Sequence, residues 1–479
     1  MARARKKEDP EAIKAAANEI KFGTDGWRGV MARDFTYDNV RRVAQAIAEY
    51  MKATGKRNQP VVVGYDRRFQ GDSFAKEIAR ILSANGQRVT LCADSLPTPA
   101  ITFLSHKLKA LGIMVTASHN PASFNGIKMK TEGRAANETL TAEVEACIDR
   151  SNPVRNGGGK IPEKSFRKDY LAYLKSKGNP GKFMGQLKRT VVIDYMHGAS
   201  GGLLGELVSS KKIVEIRAER DPLFGGVNPE PIEENLAALK DRVLKEKAML
   251  GLALDGDGDR VAIVDDKGHY LTPCQVFPIL AEYLITMRKI KGKIVQSVSM
   301  GYLVERIAKE YGLEFEQLPV GFKHVGEAIA LGQAAIGGEE SGGYAWKGNL
   351  PERDGLLTGL LFIEMCVTTK KTPSQLWELI EKKYGKSDFR RVDFHISKPV
   401  DKAAFTAKIR KRLPKKVGGQ AVLDVMDFDG VKVFLEGGHW VLMRPSGTEP
   451  LIRTYAETDS PKKTQLLLET AARWVGSHL

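Results

Sequence analysis

The sequence predicts an α/β protein: three similar α/β domains with mixed, mostly parallel sheets, followed by a C-terminal α+β domain. Three observations support this fold class. The chain has 479 residues, and because single hydrophobic cores stop growing near about 250–300 residues, it must divide into domains. Strand-like and helix-like segments alternate in the same order three times. The C-terminal part instead has consecutive short strands with glycine turns, which is typical of an antiparallel sheet.

The three repeated segments begin with the apolar runs "QPVVVGYDRRF", "RTVVIDYMHGASG" and "KIVQSVSMGYL". Each continues through a helix, a second strand, another helix and a third strand, which is the alternation of a parallel sheet covered by helices. The third strands run into "TASHNP", "DGDGDR" and "GGEESGG". Because ligands bind at the carboxyl ends of parallel strands, we expect the three loops to face one shared cleft.

We place the domain boundaries between the three repeated segments and before the C-terminal antiparallel segment. The four predicted domains are residues 1–155, 156–266, 267–386 and 387–479. The first three each carry one of the loops named above. The fourth carries the loop "RPSGTEP" between two of its strands. The stretch "VTTKKTPSQLWELIEKKYGKSD" before the fourth domain permits a hinge.

We expect the chain to be cytoplasmic, because the sequence shows neither a membrane span nor a signal peptide. Hydrophobic residues make up 42% and charged residues 28% of the chain, and no apolar run reaches the length of a membrane span. The start "MARARKKEDP" is charged but lacks the apolar core of a signal peptide. The four cysteines, Cys92, Cys147, Cys274 and Cys366, are scattered without metal-ligand spacing, and we expect them to be reduced packing residues.

The formal net charge of +16 is spread over helix-like segments such as "LKDRVLKEKAML", where acids are mixed in. A single-strand nucleic-acid binder needs a compact basic block interleaved with aromatic residues, and the sequence has none. We therefore expect a solvated basic surface and no nucleic-acid partner. A local positive pocket for phosphate is compatible with this distribution.

The loop "LDGDGDR" places Asp255, Asp257 and Asp259 two residues apart. Three carboxylates that face one point repel one another, and this repulsion is costly unless a cation lies between them. The pattern therefore indicates a hard divalent ion. An EF-hand would need glycine at the sixth loop position and glutamate at the twelfth, where this chain has Arg260 and Asp266. With three protein oxygens close in sequence, Mg²⁺ that keeps positions open for a phosphate is favoured.

Ser118 follows a buried strand in "LGIMVTASHNPASFNGIK", with His119, Asn120 and Lys128 as donors nearby. A turn serine and the nucleophile of a Ser-His-acid hydrolase are the alternatives. The chain has no G-x-S-x-G elbow, and a histidine adjacent in sequence is poorly placed as the serine's base. A serine that carries a phosphoryl group fits better, because that group's charge needs a metal and cationic donors.

Two further loops favour a sugar phosphate as ligand. In "RPSGTEP", Arg444, the hydroxyls of Ser446 and Thr448, and the N–H groups around Gly447 form a pattern typical of an anion nest, which Arg453 could join. A hairpin loop with capping hydroxyls is the alternative. In "GGEESGG", Glu339, Glu340 and Ser341 offer acceptors for vicinal sugar hydroxyls, although a solvated turn has the same composition.

Six motifs, "KFGTDGWRG", "TASHNP", "DGDGDR", "PVGFK", "GEESGG" and "RPSGTEP", resemble in content and order those of the α-D-phosphohexomutase family. This family includes phosphoglucomutase, phosphomannomutase and phosphoglucosamine mutase. The resemblance spans nearly the whole chain. It implies four domains around a central cleft, a phosphoserine at Ser118, and Mg²⁺ bound by that phosphate together with Asp255, Asp257 and Asp259. It also implies a hexose 1,6-bisphosphate activator that primes Ser118, a phosphorylated hexose substrate, and a monomer or homodimer.

The resemblance also implies roles for further residues. Arg28 and His119 would lie by the reacting phosphate, and Lys128 and Arg260 would be candidates for proton transfer. Lys323 would contact the phosphate of the bound sugar. Sugar hydroxyls would be recognised by Glu339 and Ser341, and the second phosphate would bind at Arg444, Ser446, Gly447, Thr448 and Arg453.

The expected activity is that of a phosphoglucomutase, which interconverts glucose 1-phosphate and glucose 6-phosphate through a phosphoserine enzyme and a hexose 1,6-bisphosphate. The chain has Gly343 where bacterial dual-specificity and glucosamine mutases tend to have histidine, which disfavours glucosamine phosphate. Phosphomannomutase or dual specificity is the nearest alternative, because one epimeric hydroxyl discriminates weakly. A serine-phosphate phosphatase and a non-catalytic sugar-phosphate or nucleic-acid binder are the alternatives from other classes.

Overall fold

The computed structural model describes residues 19–23, 25–154, 156–397, 400–446 and 450–476. The strands in these ranges are β1 Trp27–Val30, β2 Val61–Tyr65, β3 Val89–Cys92, β4 Leu111–Val115, β5 Phe124–Thr131, β6 Arg134–Ala135, β7 Glu163–Lys164, β8 Val191–Asp194, β9 Ile213–Ile216, β10 Leu250–Leu254, β11 Val261–Val264, β12 Tyr270–Leu271, β13 Ile294–Ser297, β14 Phe315–Leu318, β15 Ile336–Glu339, β16 Gly343–Trp346, β17 Asp388–His395, β18 Lys416–Val417, β19 Gln420–Met426, β20 Val431–Leu435, β21 Trp440–Pro445 and β22 Leu451–Thr458.

The helices are α1 Tyr37–Ala53, α2 Gly71–Ala84, α3 Thr98–Lys107, α4 Glu138–Glu145, α5 Arg167–Gly178, α6 Leu203–Val208, α7 Ala237–Lys245, α8 Pro273–Thr286, α9 Leu303–Glu310, α10 Phe322–Ala330, α11 Gly355–Thr369, α12 Pro373–Tyr384, α13 Lys402–Lys411 and α14 Pro461–Gly476. In the described ranges, no helix combines the length and the apolar character that crossing a membrane requires. All four cysteines are buried, and none takes part in a disulfide.

Three segments of the chain share one sheet topology. The strands lie side by side in the orders β4-β2-β3, β10-β8-β9 and β15-β13-β14, and every one of these pairs is parallel. One more strand then follows the third strand of each segment: β5 is antiparallel to β4, β11 lies beside β10, and β16 is antiparallel to β15. The prediction of three similar α/β domains with mixed, mostly parallel sheets is confirmed.

The first segment illustrates why these elements form. In α1, Val40, Val43 and Ile47 recur at helical spacing and are fully buried. The Thr36 side chain caps this helix by accepting a hydrogen bond from the backbone N–H of Asn39. The strand β4 is buried at every position, as expected for a strand covered by helices on both faces. Its apolar run ends at the loop that carries Ser118.

The C-terminal segment is an antiparallel sheet in the order β17-β22-β21-β20-β19-β18. Its core contains apolar side chains of α13 and α14, including Ile409 and Leu467, together with Val433 and Val441 of the sheet. The prediction of an α+β domain with an antiparallel sheet is therefore confirmed.

The described residues form two compact units. Unit 1 comprises those in the ranges 19–262 and 349–368, and unit 2 comprises those in the ranges 263–348 and 369–476. In unit 1, the returning segment places α11 against the second segment, where Gly359 lies beside Leu252 of β10. The four predicted domain boundaries and the shared cleft stay predictions.

Within unit 2, two buried ionisable side chains of the C-terminal sheet contact the loop that follows β13. Lys432 Nζ donates to the backbone oxygen of Val298 at 2.7 Å and lies 3.8 Å from the centre of the Trp440 ring. Glu457 accepts hydrogen bonds from the backbone N–H of Tyr302 and from Trp440 Nε1, both at 2.7 Å. These contacts hold the exit of β13 against the C-terminal sheet.

Candidate active site

Ser118 lies in the connection between β4 and β5 and is fully buried. Its backbone has a φ of +54°, in the left-handed region that residues other than glycine seldom adopt. The N–H of Ser118 donates to Thr116 Oγ1 at 2.8 Å, and its hydroxyl donates to Asp255 Oδ2 at 3.0 Å. The side chain is therefore directed at the acidic loop that follows β10.

That loop brings Asp255, Asp257 and Asp259 together. All three carboxylates are buried, and their ligand oxygens lie within 4.8 Å of one another. Burial, together with the two neighbouring carboxylates, raises the pKa of Asp255 well above its usual range. Burial also opposes ionisation of Asp257, but the Lys128 ammonium outweighs it and lowers the pKa of that carboxyl far below its usual range.

The three aspartates fit a hard divalent cation. Asp257 Oδ1 and Asp259 Oδ1 are buried and have no hydrogen-bond partner among the described residues. Buried carboxylate oxygens without donors are costly, and oxygen donors of this kind are the ligands that Mg²⁺ prefers. The donor set and its two unsatisfied oxygens therefore suit Mg²⁺.

Close approach of the two loops depends on Gly256. A Cβ atom at this position would lie 2.5 Å from the backbone oxygen of Ser118 and 3.1 Å from Pro229 Cγ. Real Cβ atoms essentially never come within 3.0 Å of another heavy atom in this way. Glycine between the first two aspartates therefore allows the serine hydroxyl to reach Asp255.

Lys128, on β5, is the central cation of this cluster. Its ammonium lies 2.7 Å from Asp25 Oδ2, 2.8 Å from Asp257 Oδ2 and 3.2 Å from Asp259 Oδ2. Burial would lower the pKa of Lys128, but the three carboxylates outweigh it and raise that pKa above its usual value. In this arrangement Lys128 is an ammonium that balances charge.

The other three unit 1 residues predicted for the site lie around the same cluster. Arg28 Nη1 donates to Asn120 Oδ1 at 2.6 Å, next to the serine loop. Arg260 donates its backbone N–H to Asp255 Oδ1 at 3.1 Å, and its Nε lies 3.7 Å from Asp259 Oδ1. Burial first, and then the nearby cations, lower the pKa of His119 well below its usual value, so the ring is neutral at pH 7.

Two charged residues that the sequence analysis did not select complete this cluster. Arg353 Nη2 lies 2.7 Å from Asp25 Oδ2 and 3.0 Å from Asp259 Oδ2. Asp25 thereby links Arg353 to Lys128, and the cations around it lower its pKa well below the usual range, although burial opposes this. The sequence feature that could have pointed to Arg353 is the charged run "LPERDG", which ends where the apolar helix α11 begins.

The remaining predicted residues belong to unit 2. Glu339, at the end of β15, is buried and accepts a hydrogen bond from the Ser341 hydroxyl. Lys323 is the last residue of the "PVGFK" motif and lies in the first turn of α10, which begins at Phe322. The neighbouring Glu340 accepts from Ser297 Oγ at 2.8 Å, so the two adjacent glutamates have different partners.

The arginines of the predicted phosphate site are paired across two strands. Arg444 of β21 lies directly opposite Arg453 of β22 in the antiparallel register. Each has an acidic neighbour: Arg444 Nε donates to Asp429 Oδ1 at 2.9 Å, and Arg453 Nε lies 3.9 Å from Asp393 Oδ2. Ser446 is buried, with its N–H donating to the backbone oxygen of residue 451 at 2.9 Å. The predicted residues Gly447 and Thr448 lie outside the described residues.

Comparison with known proteins assigns this chain to a family. Four family models match: phosphoglucomutase/phosphomannomutase alpha/beta/alpha domain I over residues 19–155, domain II over 168–268, domain III over 272–384, and the C-terminal domain over 403–473.

Individual proteins resemble the chain over nearly its whole length. A phosphoglucomutase/phosphomannomutase of Thermococcus kodakarensis is 30% identical over 455 residues, which cover 94% of this chain and 96% of the relative. A phosphoglucosamine mutase of Carboxydothermus hydrogenoformans is 31% identical over 458 residues, which cover 94% of this chain and 97% of the relative.

A crystal structure from Thermus thermophilus, which carries the name of a phosphomannomutase, has a TM-score of 0.84 and 33% identity to this chain, covering 95% of it and 99% of that structure. The structural similarity and the sequence similarity thus both extend over nearly the whole chain. The chain belongs to the phosphoglucomutase/phosphomannomutase family and is a phosphohexomutase, an isomerase that transfers a phosphoryl group.

Proposed function

We propose that this phosphohexomutase is a phosphoglucomutase, which interconverts glucose 1-phosphate and glucose 6-phosphate through a phosphoserine at Ser118. The observation that carries the proposal is the hydrogen bond of 3.0 Å between the buried Ser118 hydroxyl and Asp255 in the acidic triad. A buried serine next to three carboxylates is an unfavourable setting for a plain turn residue, but it suits a phosphoryl group that shares a cation with them.

The reaction has two symmetrical transfers. In the first, the bond between phosphorus and Ser118 Oγ breaks and a bond forms between phosphorus and the free hydroxyl oxygen of the hexose monophosphate; that hydroxyl loses a proton and Ser118 Oγ gains one. In the second, the bisphosphate has turned over, the bond between its other phosphorus and the sugar oxygen breaks, and that phosphoryl group returns to Ser118 Oγ; the serine hydroxyl loses a proton and the sugar oxygen gains one. Hexose 1,6-bisphosphate is then also the compound that primes a dephosphorylated Ser118.

The residues of unit 1 supply positioning and positive charge for both transfers. A loose phosphoryl-transfer transition state spreads charge over three equatorial oxygens, so cations placed around it lower the barrier. Arg28 contacts Asn120 in the serine loop and Lys128 contacts Asp257 in the acidic loop, so both can stabilise this charge. Asp255, Asp257 and Asp259 would hold Mg²⁺, which when bound neutralises phosphate charge. Lys128 and Arg260 remain the candidates for proton transfer. Lys128 is already an ammonium, so it would give its proton to the departing oxygen and then take the proton of the attacking hydroxyl.

The residues of unit 2 would bind the rest of the substrate. Glu339 and Ser341 are proposed to accept and donate hydrogen bonds to the sugar hydroxyls, and Lys323 to contact the phosphate of the sugar. The idle phosphate would be held by Arg444, Ser446, Gly447, Thr448 and Arg453. The register that places Arg444 opposite Arg453 supports this role, because each guanidinium can bind two phosphate oxygens at once.

The preferred sugar is the finer part of the proposal. Gly343 follows the "GEESG" motif, which supports glucose over glucosamine. Phosphoglucosamine is the second candidate substrate, because a relative named phosphoglucosamine mutase is 31% identical over 94% of this chain. Mannose differs from glucose at one epimeric hydroxyl, so selection between these two sugars is expected to be modest.

Comparison of kcat/KM for glucose, mannose and glucosamine 1-phosphates, with Mg²⁺ and hexose 1,6-bisphosphate present, tests this choice. We expect the highest value for glucose 1-phosphate. A higher value for glucosamine 1-phosphate would contradict the proposed substrate but not the phosphoserine.

The phosphoserine itself is tested with Ser118→Ala and the control Ser176→Ala, which removes an exposed hydroxyl on α5. Mass spectrometry after incubation with the bisphosphate should find phosphate on Ser118 in the wild type and in the control, but not in Ser118→Ala. Turnover by Ser118→Ala at the wild-type rate would refute the role. Release of free phosphate instead of glucose 6-phosphate would indicate a phosphatase.

A further inference from the structure

Arg68 is a fully buried arginine whose side chain ends among the backbone oxygens of the serine loop. It follows β2 in "YDRRF" and has no exposed surface. Nη1 donates to the oxygens of Pro121 and Phe124 at 2.8 and 3.0 Å. Nη2 donates to the oxygens of Ser118 and Asn120 at 2.7 and 2.6 Å. One guanidinium thus gathers four carbonyl groups of a seven-residue loop.

A second connection runs from Arg68 to the N–H of the serine. Arg68 Nε lies 3.3 Å from Asp66 Oδ2, and the backbone N–H of Arg68 donates to Asp66 Oδ1 at 2.9 Å. Thr116 Oγ1 donates to Asp66 Oδ2 at 2.6 Å and accepts from the N–H of Ser118 at 2.8 Å. Both the N–H and the carbonyl oxygen of Ser118 are therefore tied to the Asp66–Arg68 pair.

The guanidinium is also confined from one side. Its central carbon lies 5.0 Å from the centre of the Phe224 ring, within the range of a cation–π contact. A buried charge of this kind needs partners, and here the partners are the loop oxygens and Asp66. A planar group with fixed donor directions, packed against an aromatic ring, can hold carbonyl oxygens in one arrangement.

Ser118 needs such support because its left-handed backbone, with φ of +54°, is unfavourable for a residue with a side chain. That conformation directs the hydroxyl at Asp255. Among the hydrogen bonds and ion pairs of the described residues, Arg68 has none with Asp255, Asp257 or Asp259; its charge acts on Asp255 and Asp257 through space, whereas its direct contacts are with the serine loop and Asp66.

We propose that Arg68 is a positioning residue for phosphoryl transfer: its guanidinium, paired with Asp66, holds the loop 118–124 so that Ser118 Oγ faces the acidic triad. The inference rests on the proposed phosphoserine function of Ser118. Lysine cannot replace Arg68, because an ammonium is a single point of charge and cannot reach four oxygens in two directions.

The test compares Arg68→Lys with the control Arg67→Lys. Arg67 is the preceding residue, and it donates to the backbone oxygens of Ala218 and Gly201, outside the serine loop. Each protein is loaded with phosphate from hexose 1,6-bisphosphate and then mixed with glucose 1-phosphate and Mg²⁺. The rate of single-turnover transfer, steady-state kcat and KM, the ³¹P resonance of the phosphoserine and the melting temperature are measured.

We expect Arg68→Lys to lower the transfer rate and kcat by about 30- to 100-fold, since displacement of a reacting group, here Ser118 Oγ, by about 1 Å has effects of this size. KM should stay within about threefold of wild type, because the sugar-binding residues are elsewhere, and the ³¹P resonance should shift. Arg67→Lys should leave all of these near wild type. Equal transfer rates in the two variants, or parallel changes of kcat and KM in Arg68→Lys, would overturn the inference.

The two hypotheses fail in different ways. If the wild type transfers no phosphate from Ser118, the proposed function fails; if it does and Arg68→Lys transfers equally fast, only the role of Arg68 fails. Should Arg68→Lys not fold, Thr116→Val tests the same connection, because it removes the hydroxyl between Asp66 and the N–H of Ser118 while keeping the side-chain shape. A drop of about tenfold in transfer rate at unchanged KM supports the inference, and an unchanged rate overturns it.

Discussion

Replacing Gly256 by alanine should separate the serine loop from the aspartate loop in the proposed active site. The added Cβ would lie 2.5 Å from the backbone oxygen of Ser118. It would also lie 3.1 Å from Pro229 Cγ, so it has little room to move away from the serine loop. The Ser118 oxygen is a backbone atom, so it cannot rotate aside as the end of a flexible side chain can. The loops must therefore move apart.

The size of the displacement follows from the contact distance. Since such contacts do not occur below 3.0 Å, the separation must grow by at least about half an ångström, and by about 1 Å to reach ordinary van der Waals contact. The bond of 3.0 Å from Ser118 Oγ to Asp255 would then exceed hydrogen-bond range. A misplacement of about 1 Å corresponds to roughly 10²-fold in kcat, or about 2.7 kcal/mol. Overpacking should also lower the free energy of unfolding by about 1–3 kcal/mol.

The assay measures kcat for glucose 1-phosphate and the free energy of unfolding in urea for Gly256→Ala and for Gly181→Ala. Gly181 is a suitable control because a Cβ at that position has no neighbour within 4 Å and its backbone is outside the left-handed region. The control should match the wild type in both measurements. A Gly256→Ala enzyme with wild-type kcat would show that close approach of the two loops is not needed for transfer, and the reasoning above would be wrong.

Three further predictions follow from individual side chains. Asp257→Asn should weaken Mg²⁺ binding at least tenfold in a calorimetric titration, because a carboxylate oxygen without a protein donor is lost; unchanged affinity would contradict the metal site. Glu339→Gln should raise KM for the sugar phosphate without preventing phosphorylation of Ser118 by the bisphosphate, as mass spectrometry would check. Burial lowers the pKa of Lys432 to about 7, although Glu457 opposes this. The unfolded chain therefore binds a proton between pH 7 and about 10 that the folded protein does not, and stability rises with pH over that window by up to about 1.4 kcal/mol per pH unit. When the free energy of unfolding in urea is measured across this pH window, Lys432→Met should lack the rise that the wild type shows. An equal rise in the wild type and in Lys432→Met would contradict the lowered pKa.

The local patterns of the chain were sufficient to predict its repeats. The apolar runs that became β2, β8 and β13 each begin a segment, and the loops after β4, β10 and β15 carry the functional motifs. Hydrophobic periodicity reports which residues are buried, so it identifies strands and helices well. The spacing of the three aspartates likewise indicated a cation site, because their proximity depends only on a short loop.

Sequence patterns did not reveal residues that reach the site through distant parts of the fold. Arg353 and Asp25 are separated by 328 positions along the chain and are in contact because residues 349–368 return to unit 1. Arg68 reads as an ordinary polar residue after a strand, and its role depends on the antiparallel pairing that places the serine loop over it. Contacts of this kind leave no periodic trace in the sequence.

The sequence by itself determined the fold class and the order of the repeats and supplied the candidates for the reacting groups, since these depend on burial patterns and on residues close together in the chain. The tertiary structure decided the geometry of the site: that Ser118 is directed at Asp255, that Lys128 lies among three carboxylates, and that Arg68 supports the serine loop. The physical reason is that burial is dictated by local composition, whereas electrostatic pairing is dictated by which distant strands become neighbours.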